Sequence, residues 1–190
     1  MDFRFCLITG PKHSGKSLCA KALNKITGGE VVDLDETMEA QTGKTPRELS
    51  VLGQDIFKKA EAQALSSALQ FTEEKDQGLR REQIRIIAAG GGLIDNGEAM
   101  ALLKEAQSTP REIIAIYLDI SAETAWQRIS QEGEIPPFLN TENPQETHSA
   151  LHNCRAEAYK AMAGITVSAE NKSPEEIASE IAGCLSITII

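Results

Sequence analysis

An α/β fold on a parallel sheet is predicted by three features of this chain. Short apolar runs recur between helical patterns, the runs do not alternate with polar residues, and the first ends in a glycine-rich turn. Residues 3–9, 30–34, 84–89, 113–118 and 165–168 read as the strands. Strands buried on both faces are near-continuous apolar runs, so a three-layer arrangement follows, with helices on each side of the sheet.

The helical segments carry their own punctuation. Thr45-Pro46-Arg47-Glu48 and Ser173-Pro174-Glu175-Glu176 each supply a cap, a proline at the first helical position and a glutamate at the third. After the second start, Ile177, Ile181, Cys184 and Leu185 recur at i, i+4, i+7 and i+8 and form a docking face. Ala122, Ala125, Trp126 and Ile129 do the same after Ser121. Residues 72–83 are polar and highly charged and read as an exposed helix end and loop. Residues 132–148 contain Gly133, Pro136, Pro137, Asn140, Asn143 and Pro144, which break regular structure and suit a mobile lid. No linker or internal repeat divides residues 1–190, so a single domain is expected.

Composition narrows the function. With 41% hydrophobic and 25% charged residues, neither disorder nor membrane residence is indicated. The formal charge of −9 argues against general nucleic-acid binding, which rests on lysine and arginine displacing counterions. The apolar stretches 84–94 and 113–120 are too short or interrupted to span a bilayer, and no basic segment precedes an apolar one at the start. A cytoplasmic monomer is the expectation. Cys6, Cys19, Cys154 and Cys184 are scattered, which disfavours a zinc cluster or disulfide framework and reads as reduced, mostly buried thiols. The apolar tail 184–190 docks either on a sheet edge or on a partner.

Residues 10–17, Gly-Pro-Lys-His-Ser-Gly-Lys-Ser, fit the phosphate-binding pattern G-x-x-x-x-G-K-S between a strand and a helix. In that setting the loop amides converge on phosphate oxygens, Gly10 and Gly15 permit the turn, and the helix points its positive end at the anion. Lys16 then reaches the β and γ phosphates of ATP, Ser17 ligates Mg2+, and Leu18 adjoins the nucleotide. Asp33 and Asp35 end the second strand, where an open parallel sheet presents its ligand crevice. They suit Mg2+ handling and activation of an attacking hydroxyl; the alternative is that one merely caps the helix from Glu36 onward. Gly90-Gly91-Gly92, after the third strand, suits close approach of backbone to a small ligand.

These motifs, with Thr42-Gly43-Lys44, Phe57-Lys58-Lys59-Ala60-Glu61, Arg155-Ala156-Glu157-Ala158-Tyr159 and Ala163, occur in the order found in shikimate kinases, which the chain resembles over nearly its whole length. The resemblance implies a P-loop kinase fold with a five-stranded parallel sheet and phosphate transfer from ATP to the 3-hydroxyl of shikimate. It implies that Lys16 is the phosphate lysine, Ser17 a magnesium ligand and Asp33 the acid that organises magnesium through water. Asp35 matches the acid that holds the substrate hydroxyl, Gly90, Gly91 and Gly92 the substrate turn, Arg155 the cation on the substrate carboxylate, and Arg128 the arginine against adenine. For Arg128 the alternative is a solvated helix residue.

The chain departs from that pattern in two places. Lys58 stands where the family has an arginine that forks onto the carboxylate, so a point charge replaces a bidentate clamp. Lys58 and Glu61 share a helix face at i, i+3, and a surface ion pair is the other reading of that spacing. The second departure is in the lid, where Pro136-Pro137-Phe138-Leu139 replaces Arg-Pro-Leu-Leu. Residues 129–154 contain no lysine or arginine but include Glu132, Glu134, Glu142 and Glu146. His148 and His152 are expected to be satisfied or exposed. The chain therefore reads as a shikimate kinase; the alternatives are a kinase-derived binding protein without turnover, or a kinase of another small hydroxy acid.

Overall fold

In the computed structural model, which describes residues 4–70, 84–109, 113–131, 136 and 139–185, five strands form one parallel sheet. They are β1 (Phe5–Thr9), β2 (Glu30–Asp33), β3 (Arg85–Ala88), β4 (Ile113–Asp119) and β5 (Ile165–Ser168), in the order β2-β3-β1-β4-β5. Each lies within two residues of the run that predicted it. The described helices are α1 (Lys16–Thr27), α2 (Leu34–Thr42), α3 (Pro46–Leu52), α4 (Gln54–Ala68), α5 (Gly97–Ser108), α6 (Ala122–Gln131), α7 (Pro144–Met162) and α8 (Pro174–Cys184).

The pleat of β1 divides the core. Cys6 and Ile8 pack with Leu23 of α1, Ala125 of α6 and Ile181 of α8 on one face. Phe5 and Leu7 pack with Met38 of α2, Leu65 of α4 and Leu103 of α5 on the other. Because β1 is apolar toward both layers, it sits centrally between β3 and β4. The register then levels the strand ends: Asp33 and Ile8 both pair with Ala88, Thr9 pairs with Tyr117, and Asp119 with Ser168. Residues 10–15, Asp35 and the three glycines therefore leave the sheet from one edge. The chain crosses β1 between β3 and β4, and such a reversal of strand order opens a crevice at that edge.

Both capping boxes form. Glu48 and Glu176 amides donate to the Thr45 and Ser173 hydroxyls, each at 3.3 Å, while the Thr45 and Ser173 amides donate back to the two carboxylates, each at 2.8 Å. Three expectations are corrected. Helix α7 starts at Pro144, so residues 144–148, assigned to the lid, are its first turns; proline at the first helical position lacks only an amide that has no partner there anyway. Cys6 and Cys19 are buried, but Cys154 and Cys184 are exposed. The docking face of α8 is centred on Ile177, Ala178, Ile181, Ala182 and Leu185, which leaves Cys184 at its margin. Residues 72–83, the tail from 186 and residues 132–135, 137 and 138 of the expected lid lie outside the described residues.

Helix α8 packs on α1 and β5, and its Ile177 and Ile181 share one core cluster with Cys6 and Ile8 of β1, so its start matters to the whole domain. Ser173→Ala is expected to lower the unfolding free energy by about 1 kcal/mol, measured by urea denaturation.

Candidate active site

The loop leaving β1 is closed by its own backbone. Gly10 adopts a φ of 144°, and a Cβ there would lie 2.7 Å from the Leu118 carbonyl oxygen of β4. Gly15, at φ 93°, caps α1 without a side-chain bond, which leaves the first-turn amides of that helix for an anion. Lys16 donates from Nζ to the Pro11 carbonyl at 2.7 Å, so its ammonium is held across the loop. Burial draws the Lys16 pKa down to about 8, against the pull of Asp35 and Asp33. The hydroxyls of Thr9 and Ser14 are buried with no hydrogen-bond partner among the described residues. Arg128 of α6 donates from Nη1 to the His13 carbonyl at 2.9 Å, which makes it part of the loop's wall and not a solvated helix residue. Beside the loop a cleft of about 450 Å3 is lined by His13, Ser14, Gly15, Leu18, Arg128 and Lys172. Amides, an ammonium and a cleft of this size fit a nucleoside triphosphate.

The acids stand next to it. Ser17 donates its hydroxyl to Asp33 Oδ2 at 2.6 Å, and the Asp35 amide donates to Asp33 Oδ1 at 3.0 Å. Asp33 is thus the cap of α2, which starts at Leu34, whereas the alternative reading of the sequence starts that helix at Glu36 with one of the two acids as its cap. That frees Asp35, in the first turn of α2. Partial desolvation in the crevice pushes its carboxyl pKa upward and Asp33 adds to this, while Lys16 and Lys12 oppose it. Lys16, Asp33 and Asp35 therefore form one electrostatic group.

Each glycine after β3 faces a different neighbour. A Cβ on Gly90 would lie 3.0 Å from Glu61 Oε1 and 3.6 Å from Asp35 Oδ1; one on Gly91, 2.9 Å from the Lys12 amide; one on Gly92, 3.9 Å from Arg155 Nη2. The turn thus joins the phosphate loop to a pocket of acids and a cation. Tyr159 of α7 donates its hydroxyl to the Gly91 carbonyl. Arg155 donates from Nε and Nη2 to Asp95 Oδ2, at 2.8 and 2.5 Å.

Sequence spacing presents Glu61 only as a motif residue and a surface partner of Lys58. It is instead 1% exposed and turned toward Asn96, whose Nδ2 donates to Glu61 Oε2 at 2.9 Å and to the Lys58 carbonyl at 2.7 Å. Burial, with help from Asp35, pushes its pKa up to about 7, against Asn96, Arg155 and Lys58. Its Oε1 has no hydrogen-bond partner among the described residues. The sequence holds a signal: Glu61 lies within the apolar row Ala60, Ala62, Ala64 and Leu65. His148 and His152 are also corrected. Both are buried, and the Nδ1 atom of each lacks a hydrogen-bond partner among the described residues.

Residues 12–186 match the family model for shikimate kinase. The chain belongs to the shikimate kinase family. It is similar to the shikimate kinase of Marinomonas sp., 27% identical over 92% of this chain and 88% of that one. It is also similar to the shikimate kinase of Lactococcus lactis, 29% identical over 92% of this chain and 94% of that one. Among solved structures, shikimate kinase from Acinetobacter baumannii in complex with shikimate superposes with a TM-score of 0.79 at 25% identity, covering 97% of this chain and 94% of the other. A gluconokinase from Sinorhizobium meliloti, at 16% identity and a TM-score of 0.59, shares the fold. The chain is thus an ATP-dependent small-molecule kinase of the shikimate kinase family, on a P-loop kinase fold. No described helix is long and apolar enough to cross a membrane.

Within this shikimate kinase site Glu61 gives a measurable signature. An unfolded glutamate titrates near 4.5 and the folded one near 7, so the native state binds more protons between those values and loses stability as pH rises through them. Glu61→Gln removes that loss. It is expected to raise the unfolding free energy at pH 8, by at most about 3 kcal/mol, with the gain fading toward pH 4.5, as measured by denaturation across pH.

Proposed function

We propose that this chain transfers the γ-phosphate of ATP to the 3-hydroxyl of shikimate. The observation that carries the reading is the placement of Gly90 against Asp35 and Glu61 while Gly91 lies on the phosphate loop, which joins acceptor pocket and phosphate site through one turn. Mg2+ fits the all-oxygen pair of Ser17 and Asp33 and, when bound, neutralises charge on the phosphate oxygens.

The chain's own groups do the rest. Lys16 and the loop amides hold the phosphates, and Arg128 lies against the adenine plane. Arg155 and Lys58 hold the acceptor carboxylate, with Gly90, Gly91 and Gly92 against its ring. Asp35 takes the proton of the attacking hydroxyl; a carboxyl with a raised pKa is the better base. The acceptor oxygen bonds to the γ phosphorus, the bond to the β-phosphate oxygen breaks, and ADP leaves. The reading takes residues 1–190 as one monomeric cytoplasmic domain, with a lid that precedes α7 and excludes water.

Coupled ADP release is expected to depend on shikimate among a panel of sugar acids and nucleoside monophosphates. Lys16→Ala and Asp35→Asn should each lower kcat by about a hundredfold or more. ADP release indifferent to every acceptor would sink the proposal. The arginine-free lid favours a second reading, a binding protein without turnover, for which calorimetry would find shikimate or ATP bound with no phosphorylated product.

Lys58→Arg restores a planar fork at the carboxylate. The KM for shikimate should fall several-fold while kcat changes little, because a clamp on the carboxylate holds substrate and transition state alike.

A further inference from the structure

The turn that follows the three glycines sets a carboxylate of the chain's own against Arg155. Leu93–Asp95 form one 3-10 turn, in which the Leu93 amide donates to the Gly90 carbonyl at 3.3 Å and the Asp95 amide to the Gly92 carbonyl at 2.9 Å. Buried residues fix it on both sides of Asp95. Leu93 shares a core cluster with Leu103 of α5. Asn96 accepts from the Ala99 amide at 3.2 Å as the cap of α5, and its Nδ2 ties the turn to the Lys58 carbonyl and Glu61 of α4. The backbone of Asp95 is therefore held in place, while its side chain is 43% exposed.

That side chain meets Arg155 of α7, which donates from Nε and Nη2 to the single oxygen Oδ2. Nε and Nη2 make one of the parallel forks of a guanidinium, an edge that a carboxylate fills best with both of its oxygens. Asp95 occupies the fork with one, and its Oδ1 takes no hydrogen bond among the described residues. The occupied fork also lies at the acceptor turn, since Nη2 stands 3.9 Å from where a Cβ on Gly92 would be. A strut from α7 to the turn is the plain structural role for such a pair. Helix α7 already has one: Tyr159, one helical turn after Arg155, donates to the Gly91 carbonyl and is 1% exposed.

We propose that Asp95 is a determinant of acceptor binding: its carboxylate is a rival, built into the chain, that the acceptor's carboxylate displaces from the Arg155 fork. The exchange swaps hydrogen bonds only. The displaced side chain turns to water, to which it is already partly open. An ion pair at such a rim is worth about fivefold or less in an equilibrium constant, so the rival weakens a carboxylated acceptor without excluding it. It also narrows the advantage of such an acceptor over an uncharged one of the same shape. The proposal rests on the reading of shikimate as the acceptor and of Arg155 as the cation on its carboxylate.

The test is calorimetry of the full chain, native and Asp95→Asn, with shikimate and with the carboxamide of shikimate, which keeps the ring and hydroxyls and lacks the charge. The variant should bind shikimate about two- to fivefold more tightly than the native chain and bind the carboxamide no more tightly. A shikimate Kd that stays the same overturns the proposal, one that rises shows a strut that orients Arg155 and overturns it too, and an equal gain for the carboxamide does the same. In parallel, the Arg155 Nε–H resonance of the native chain, assigned through Arg155→Lys, should move on saturation with shikimate and stay in place with the carboxamide. No movement with shikimate overturns the proposal, and this arm decides if Asp95→Asn does not fold. Failure of both proteins to bind shikimate overturns the acceptor reading and this proposal with it, whereas shikimate binding without these differences overturns this proposal alone.

Discussion

The site depends on a backbone packing constraint: the loop after β1 is wedged between the glycine turn beyond β3 and the end of β4, with no room for a side chain at either contact. A Cβ on Gly10 would meet the Leu118 carbonyl at 2.7 Å, and one on Gly91 would meet the Lys12 amide at 2.9 Å. Parallel register brings the three strands level, and glycine lets their ends touch. Two helices are then pinned to this wedge through backbone carbonyls, α6 by Arg128 on His13 and α7 by Tyr159 on Gly91. The phosphate loop and acceptor turn are consequently packed directly against each other, which suits a reaction that rests on positioning.

Within the wedge, desolvation and charge oppose one another. Lys16 is drawn down by burial and held up by Asp33 and Asp35; Asp35 and Glu61 are pushed up by burial and held down by the cations around them. Each group is offset toward its neutral form, so ligands of the right charge shift it back. A triphosphate stabilises the Lys16 ammonium. Organised charges in a crevice of low polarisability act on a reacting phosphoryl group more strongly than the same charges in water.

Local signals are the legible part of the sequence. Strand runs, the two capping boxes and the phosphate pattern are specified within a few residues, and the structure keeps all of them. What spacing misreads depends on facing. The i, i+3 relation of Glu61 to Lys58 is common on exposed helices, yet the apolar neighbours of Glu61 on α4 mark a buried face. His148 and His152 look like isolated residues when each is taken alone, although with Arg155 and Tyr159 they complete one helical stripe. Position along the chain offers Asp33 to magnesium and Asp35 to the acceptor hydroxyl, with a cap as the alternative for either, whereas one carboxylate of Asp33 serves both Ser17 and the start of α2. A side chain with two oxygens can fill two roles, and spacing alone does not say which acid will.

The arginine-free lid changes what couples charge to catalysis. An arginine on a lid delivers its charge by moving, so the conformational step and the electrostatic step are one. The cations that the described residues bring to the phosphate loop are instead fixed before nucleotide arrives, Lys16 on the Pro11 carbonyl and Arg128 on the His13 carbonyl. The departure in the lid thus leaves the loop's own cations in place, on a scaffold whose wedge and register are kept.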